Sequence, residues 1–286
     1  MLLSILEAGV PIVAFLLMVA VGLDVTRSDL QRVAHRWPAV MAATLVQALA
    51  LPATALLLTD IPRTPTVAEY VLLVAACPGG GMSNVYVYLA RANTALSVIL
   101  TAVSCMTAVV TMPLVFAACA AISQRSLAFS LPLPTLIAQL LIMTVLPVAF
   151  GAWLRDRRPE LERRYGRLLR TAAAAGIALI VVVGLGQSAG MFTTELLRGG
   201  IAAALLAAGG MLLGYVFGLA ARMPESDRFT LLVEFAVRNL AIAMVIEVTL
   251  LGRPDFIPFG ALALLAQALL LGAAVKLRLL SERRLQ

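Results

Sequence analysis

The sequence predicts an all-α protein that crosses a lipid bilayer several times. Three observations lead to this fold class. Of the 286 residues, 62% are apolar and only 13% are charged, with a mean hydropathy of +0.98. The apolar residues form nine separate segments, and almost all basic residues lie in the gaps between those segments. A soluble domain is about half apolar and about a quarter charged, so lipid must be the solvent for much of this protein's surface.

Each apolar segment is close to the roughly 20 residues that a helix needs to cross the hydrocarbon core. The nine predicted transmembrane helices are approximately Ile5–Leu23, Pro38–Thr59, Tyr70–Ala90, Ala95–Ile122, Leu131–Leu154, Thr171–Ala189, Gly200–Ala221, Phe229–Leu251 and Ile257–Val275. The first segment has no basic stretch before it and is followed by Arg27. We therefore expect a retained span and not a cleaved signal peptide.

The distribution of basic residues predicts the orientation. Seventeen Lys and Arg residues lie in the gaps after segments one, three, five and seven and in the C-terminal tail, against four in the other gaps. The positive-inside rule then places the "DLQRVAHRW" and "RDRRPELERRYGR" loops in the cytoplasm. We expect the protein to lie in the inner membrane of the cell. We expect the N-terminus outside and the C-terminus inside. The basic loops, which account for the net charge of +7, therefore set topology, and a nucleic-acid partner is not expected.

The third segment is interrupted by "CPGGGMSN", which places Pro78, Gly79, Gly80 and Gly81 at mid-segment. These residues break helices, and unpaired backbone groups in lipid cost several kcal/mol each, roughly. Glycine also permits unusual backbone angles. A simple proline kink in a packed membrane helix is the alternative interpretation.

The eighth segment carries "EFAVRN", with Glu234, Arg238 and Asn239 at mid-membrane depth. Ionised groups there normally face a partner or a water-filled site. Two interrupted helices that meet near the midplane are typical of secondary transporters built from inverted repeats. We therefore divide the single transporter domain into repeats 1–122 and 123–286, with helix breaks at 78–84 and 234–239.

Oxygen-bearing side chains follow the first break. Ser83 and Asn84 come directly after the glycines, and Ser97 and Thr101 lie on one face of the next helix because they are four residues apart. Serine or threonine in a membrane helix often bonds only to its own backbone. Together with Glu234, however, these residues favour a site for a hard cation.

Other classes of protein find less support. The only histidine, His35, lies in a polar loop and we expect it at the surface, and Cys77, Cys105 and Cys119 are isolated in apolar segments. No Ser/His/Asp set, HExxH or ATP-binding loop is present, so neither an enzyme nor a primary active transporter is expected. An ion channel remains as a further alternative.

The motifs resemble the bile acid:sodium symporter family. Its members carry PGG–x–x–SN–x–x–x–YLA–x–x–N–x–ALS, and this chain reads PGGGMSNVYVYLARANTALS over residues 78–97. They also carry ExxxQN, matched by "EFAVRN" with one change, and the resemblance includes "VGLDVTRSDL" and "VQALALPATALLL". It implies a symporter that works by alternating access, with a core and a panel of helices. It also implies that the first helix of the ten-helix form is absent here.

The resemblance implies the ion sites residue by residue. One Na⁺ site would use Ser83, Asn84, Ser97, Thr101 and Glu234, all of which are present. A second site would use Gln47 and the glutamine of ExxxQN, but that glutamine is Arg238 here. Arginine offers only donors and keeps its charge, so we expect one Na⁺ site and a remnant of the second.

Three roles for Arg238 stay open, in this order. It is a tethered cation that replaces the second Na⁺, a clamp for the substrate's carboxylate, or the partner of Glu234 in a structural ion pair four residues apart. If Arg238 has the first role, the alternative to sodium coupling is a proton-coupled or uncoupled carrier of organic anions.

The resemblance also implies a small organic anion as substrate. Family members move bile acids, other steroid conjugates or small carboxylates such as pantoate. Asn239 matches a family residue that touches substrate. Arg238 and Gln267 are further candidates for substrate binding. Gln267–Ala268 stands where relatives have a His-Asn pair, so the pocket is altered and the ligand stays open.

Overall fold

The computed structural model describes residues 2–58, 65–122, 132–187, 194–253 and 256–284. Every regular element within these ranges is helical, as the sequence predicts. The helices are α1 (Leu2–Asp24), α2 (Arg27–Val33), α3 (Trp37–Leu58), α4 (Pro65–Ala76), α5 (Met82–Leu89), α6 (Thr94–Ile122), α7 (Leu133–Leu140), α8 (Leu146–Arg157), α9 (Pro159–Gln187), α10 (Thr194–Ala220), α11 (Glu225–Ala236), α12 (Leu240–Thr249) and α13 (Ile257–Arg284). A 3-10 turn at Ala34–Arg36 joins α2 to α3, and a π-helical stretch at Leu141–Val145 joins α7 to α8.

The chain is a multi-pass membrane protein. Within the described residues, six helical stretches are long and apolar enough to cross a bilayer, and three shorter apolar helices at Gly9–Asp24, Val67–Ala76 and Leu240–Thr249 accompany them. The nine-span count therefore stays a prediction. The predicted segment ends Thr59, Leu131 and Ala189, and the gap residues Arg63 and Arg125, lie outside the described residues.

The basic loop after the fifth segment is mostly helix, which the sequence analysis did not anticipate. Helix α9 begins at Pro159, well before the predicted start at Thr171. Proline suits the first helical position, and Glu160 and Glu162 in the first turn complement the helix dipole. An apolar run marks where a helix enters lipid, whereas these terminal residues mark where it begins. His35 is exposed, as expected.

The segments rich in basic residues meet at one end of the molecule. Arg27 pairs with Asp156, so the start of α2 touches the C-terminal end of α8. Arg36 pairs with Asp227, which follows α10, and Asp227 also accepts a hydrogen bond from Asn93 between α5 and α6. The C-terminal helix joins this end through Arg278, whose Nε donates to the Ala90 carbonyl over 2.9 Å. We call this the basic end.

Close helix packing relies on small residues. Helix α1 lies along α8 and α9, and a Cβ on Gly22 would lie 2.1 Å from the Val148 carbonyl oxygen. Helix α10 lies along α11, where a Cβ on Gly214 would lie 2.2 Å from the Leu231 carbonyl oxygen. Backbones this close allow dense packing without long side chains, as membrane helices require.

Two interrupted helices cross at the centre of the protein. Helix α4 ends at Ala76 and α5 begins at Met82, while α11 ends at Ala236 and α12 begins at Leu240. The unwound stretches run antiparallel, and Gly79 faces Arg238 in an isolated β-bridge. The Gly80 amide donates to the Val237 carbonyl (3.1 Å). Backbone groups freed by each break therefore form hydrogen bonds with those of the other break. Such internal pairing is necessary because lipid offers no hydrogen-bond partners.

Candidate functional site

The three glycines provide space and not unusual backbone angles. Glycine permits unusual backbone angles, but none of Gly79, Gly80 and Gly81 has a positive φ. A Cβ on Gly80 would lie 2.9 Å from the Arg238 carbonyl oxygen, and one on Gly81 would lie 2.6 Å from the Val21 side chain on α1. Close approach to the other break and to α1, and not φ, therefore accounts for glycine at positions 80 and 81.

The five candidate ion ligands lie in one cluster. Ser83 and Asn84 belong to the first turn of α5, Ser97 and Thr101 to α6, and Glu234 to α11, and all five are buried. Break residues on the second crossing helix are 237–239, so Glu234 lies on the helix just before its break.

Hydroxyl groups surround the Glu234 carboxylate. Thr101 Oγ1 lies 3.2 and 3.1 Å from the two Glu234 oxygens, and Ser97 Oγ donates to Glu234 Oε1. Ser97 Oγ is also 2.8 Å from Asn84 Oδ1, and Ser83 Oγ lies 3.1 Å from Thr101 Oγ1. Three helices thus converge on one carboxylate through short polar side chains.

The cluster has more acceptor oxygens than protons. Six side-chain oxygens meet there, but the three hydroxyls supply only three protons, and the single Ser97 proton faces two acceptors. A buried carboxylate with such a surplus of oxygen lone pairs is suited to a cation. Carboxylate, hydroxyl and amide oxygens are ligands of hard ions, and one negative charge matches a single positive one.

Ser104 also belongs to this region, although the sequence analysis did not select it. Its hydroxyl accepts a hydrogen bond from the Gly79 amide (2.9 Å) and donates to the Thr101 carbonyl (2.9 Å). It thereby ties the first break to α6. Its position seven residues after Ser97 and three after Thr101 places it on the same helical face, so helical periodicity was the available signal.

Arg238 does not pair with Glu234. The third of the three proposed roles assumed helical spacing, but α11 ends at Ala236, so Arg238 is not one turn beyond Glu234 and these two described residues make no salt bridge. The guanidinium instead donates from Nη2 to the Cys77 carbonyl, just past the end of α4. Nε and Nη1 are buried and have no hydrogen-bond partner among the described residues.

The remaining candidates are buried but are not joined to the cluster. Gln47 has a buried Nε2 that finds no hydrogen-bond partner in the part of the chain that the structure describes. Asn239 caps α12, since its Oδ1 accepts from the Ile242 amide (3.2 Å), and its Nδ2 points to Met18 Sδ (3.3 Å). Gln267 lies on α13, and within the described ranges no hydrogen bond links it to Arg238 or Asn239.

A cavity of about 610 Å³ leads from the basic end to the cluster. Asn84 lies in its lining, as do Asp24, Arg32 and Tyr88, whereas Arg238, Asn239 and Gln267 do not. A volume of this size suits a small-molecule ligand. Asn84 therefore belongs both to the cluster and to the cavity wall.

The crossing helices and the buried carboxylate define a class of membrane transporter, and comparison with known proteins gives the family. The model of the Sodium Bile acid symporter family matches residues 11–195. The chain belongs to this family, which consists of transporters and not enzymes.

Individual relatives extend the comparison. The chain is 28% identical over 238 residues to the "Probable sodium/metabolite cotransporter BASS1, chloroplastic" of Arabidopsis thaliana, covering 83% of this chain and 58% of the relative. It is 26% identical over 239 residues to the "Hepatic sodium/bile acid cotransporter" of Homo sapiens, covering 81% of this chain and 67% of the relative. The chain thus spans less than two thirds of the length of the Arabidopsis protein.

Proposed function

We propose that this protein is a sodium-coupled symporter of a small organic anion that works by alternating access. The observation that carries the proposal is the convergence of Ser97 and Thr101 hydroxyls on the buried Glu234 carboxylate. The family consists of sodium symporters, and relatives are named sodium/metabolite or sodium/bile acid cotransporters. Coupling to Na⁺ and the choice of substrate are the parts of this proposal that need experiment.

One Na⁺ would bind at Ser83, Asn84, Ser97, Thr101 and Glu234. A hydroxyl oxygen retains lone pairs while its proton points elsewhere, so the same oxygens can face an ion. Since the ligands come from α5, α6 and α11, a bound ion would hold the two crossing helices together. Substrate binding in the neighbouring cavity would then depend on the ion, because Asn84 contributes to both.

Arg238 would act as the tethered cation in place of a second Na⁺. Its guanidinium donates to a carbonyl just past the C-terminal end of α4, where the helix dipole is negative, and it has no salt bridge with the nearby Glu234. A sodium ion would use the same carbonyl oxygen. This contact supports the tethered cation over the substrate clamp, since Arg238 does not line the cavity.

Alternating access would follow from two layers of helices. The layer of α1, the continuous span α7–α8 and α9 would rock against the remaining helices, which contain the crossing pair. We propose repeats at 1–122 and 123–286, an inner-membrane location, and an N-terminus outside with the basic end in the cytoplasm. The meeting of the basic segments at one end supports this orientation.

The test is uptake into proteoliposomes that contain the purified protein. An imposed inward Na⁺ gradient should drive saturable uptake of at least one member of a panel of labelled small carboxylates, whereas an equal K⁺ gradient should not. Glu234→Gln should abolish the Na⁺ dependence, while Glu160→Gln, which alters an exposed carboxylate on α9, should leave it intact. Uptake driven equally well by a proton gradient without Na⁺ would favour the proton-coupled alternative.

A further inference from the structure

A buried carboxylate at the basic end lies outside the ion cluster. Asp227 is in the first turn of α11, and its side chain is 3% exposed. Arg36 donates to Asp227 Oδ2, and Asn93 Nδ2 donates to Asp227 Oδ1 over 2.8 Å. The Ser226 hydroxyl also approaches Oδ1, at 3.4 Å. These contacts satisfy the carboxylate without any ligand.

Asn93 connects this carboxylate to the start of α6. Its Oδ1 accepts from the Leu96 amide (3.1 Å), so Asn93 caps the helix that carries Ser97 and Thr101. Its backbone amide donates to Thr230 Oγ1 (3.1 Å), a second contact with α11. One residue therefore fixes the N-terminal end of α6 to α11 at two points.

The helical spacing of residues on α6 and α11 links this contact to the ion cluster. On α11, Asp227, Thr230 and Glu234 are three and four residues apart and share one face, and on α6 the residues Asn93, Ser97 and Thr101 are each four apart. The two faces meet along their length, with Asn93 on Asp227 and Thr230 at one end and Ser97 and Thr101 on Glu234 at the other. We call this contact the α6–α11 seam.

The seam sets the geometry of the ligands. A shift of one residue along a helix moves a side chain by about 1.5 Å and rotates it by roughly 100°. Cation–oxygen distances tolerate far smaller errors, since ligand oxygens lie within a few tenths of an ångström of their ideal positions. A loose α6 would therefore turn the Ser97 and Thr101 oxygens away from the ion.

We propose that Asp227 is a positioning residue for the sodium site, which it serves by holding Asn93 and thereby the register of α6 against α11. The inference rests on the proposed function, because it assumes that the Glu234 cluster binds Na⁺. Asp227 lies seven residues before Glu234, about 10 Å along the helix, and therefore cannot itself touch the ion. Its role is to hold ligands in place, as outer-shell partners do for metal ions.

The experiment compares Na⁺ affinity with maximal rate. For wild type, Asp227→Ala and Asn93→Ala, we would measure the Na⁺ concentration that gives half the maximal rise in melting temperature of the purified protein. The same concentration would be measured for uptake, together with the rate at saturating Na⁺. We expect half-saturation to rise by about tenfold in both variants, with a rate at saturating Na⁺ close to that of wild type.

A matched control removes another acidic partner at the basic end. Asp156→Ala breaks the ion pair with Arg27 between α8 and α2 and does not touch the seam. It should leave Na⁺ half-saturation unchanged. The double variant Asp227→Ala/Asn93→Ala should raise half-saturation by less than the product of the two single effects, because both single variants remove the Asp227–Asn93 contact. Asp227→Leu replaces Asp227→Ala if the latter does not fold, because a leucine side chain cannot accept the hydrogen bond from Asn93 either.

The outcomes separate this inference from the proposed function. If the seam variants lower the melting temperature but leave Na⁺ half-saturation within twofold of wild type, Asp227 is only structural and the inference is wrong. Additive effects in the double variant would also overturn it. If wild type itself shows no thermal or transport response to Na⁺, the proposed function fails instead.

Discussion

The amide of Asn239 donates to the carbonyl of Pro78 over 2.9 Å, although the two residues belong to different crossing helices. With the Gly80–Val237 hydrogen bond, this contact makes the two breaks a short antiparallel pair. Each break would be costly in lipid by itself, since its backbone groups would lack partners. The pair therefore explains why both interruptions occur in one chain.

Gly80→Ala should disrupt this pairing. The added Cβ would lie 2.9 Å from the Arg238 carbonyl oxygen, so one strand must move. We expect a loss of about 1–3 kcal/mol in stability, as for other overpacked sites, and a large fall in transport. Melting temperature and initial uptake rate check this. Gly272→Ala is the control, because nothing lies within 4 Å of its Cβ position. If Gly80→Ala behaved like wild type, the two unwound stretches would have room for an added Cβ.

Much of the arrangement around Glu234 could be predicted from sequence. Helical spacing places Ser97 and Thr101 on one face, and the cost of a buried charge requires that Glu234 find polar partners. Those two arguments use only local sequence and the properties of lipid. The structure brings these three residues together.

Other features depend on tertiary contacts that no local pattern encodes. An ion pair between Glu234 and Arg238, the third of the roles left open for Arg238, assumed a continuous helix, whereas the helix ends between them. The need for glycine at position 80 comes from Arg238, which is more than 150 residues away in sequence. The contacts of Asp227 have no local sequence signal, because its partners, Arg36 and Asn93, come from distant segments.

Arg238→Gln should change the number of sodium ions carried. Removing the guanidinium frees the Cys77 carbonyl, and an amide oxygen can coordinate an ion. We expect the ratio to rise from one to two Na⁺ per organic anion. Transport of a monovalent anion would then move net positive charge inward and become faster at an inside-negative membrane potential.

Arg238→Lys is the matched control, because it retains the charge and should keep the ratio at one. Two-ion coupling in the wild-type protein would contradict the tethered-cation role. A higher KM for substrate in Arg238→Gln, with the ratio unchanged, would instead favour the carboxylate clamp.

Thr101→Ala should weaken Na⁺ binding. The hydroxyl contacts both Glu234 oxygens and the Ser83 hydroxyl, so its removal deletes one ligand and loosens two others. We expect half-saturation by Na⁺ to rise about tenfold, equivalent to roughly 1.4 kcal/mol. Thr107→Ala is a control on the same helix, since Thr107 Oγ1 donates only to backbone carbonyls of Val103 and Ser104. Equal effects of the two substitutions would argue against a site at Thr101.

Arg170→Gln should lower stability in a salt-dependent way. Arg170 bridges Asp24 at the end of α1 and Glu162 on α9, both at 2.9 Å, and these residues line the cavity beside Asn84. Without the guanidinium, the carboxylates of Asp24 and Glu162 repel each other. Arg155 is then the remaining cation that pairs with Glu162. Because the side chains are partly exposed, we expect a loss of about 1 kcal/mol. High salt should narrow the difference in melting temperature from wild type, since salt screens that repulsion. Arg163→Gln, an exposed change on the same helix, should have little effect on stability at any salt concentration. An equal loss of stability in both variants would show that the change in net charge, and not the loss of the bridge, is responsible.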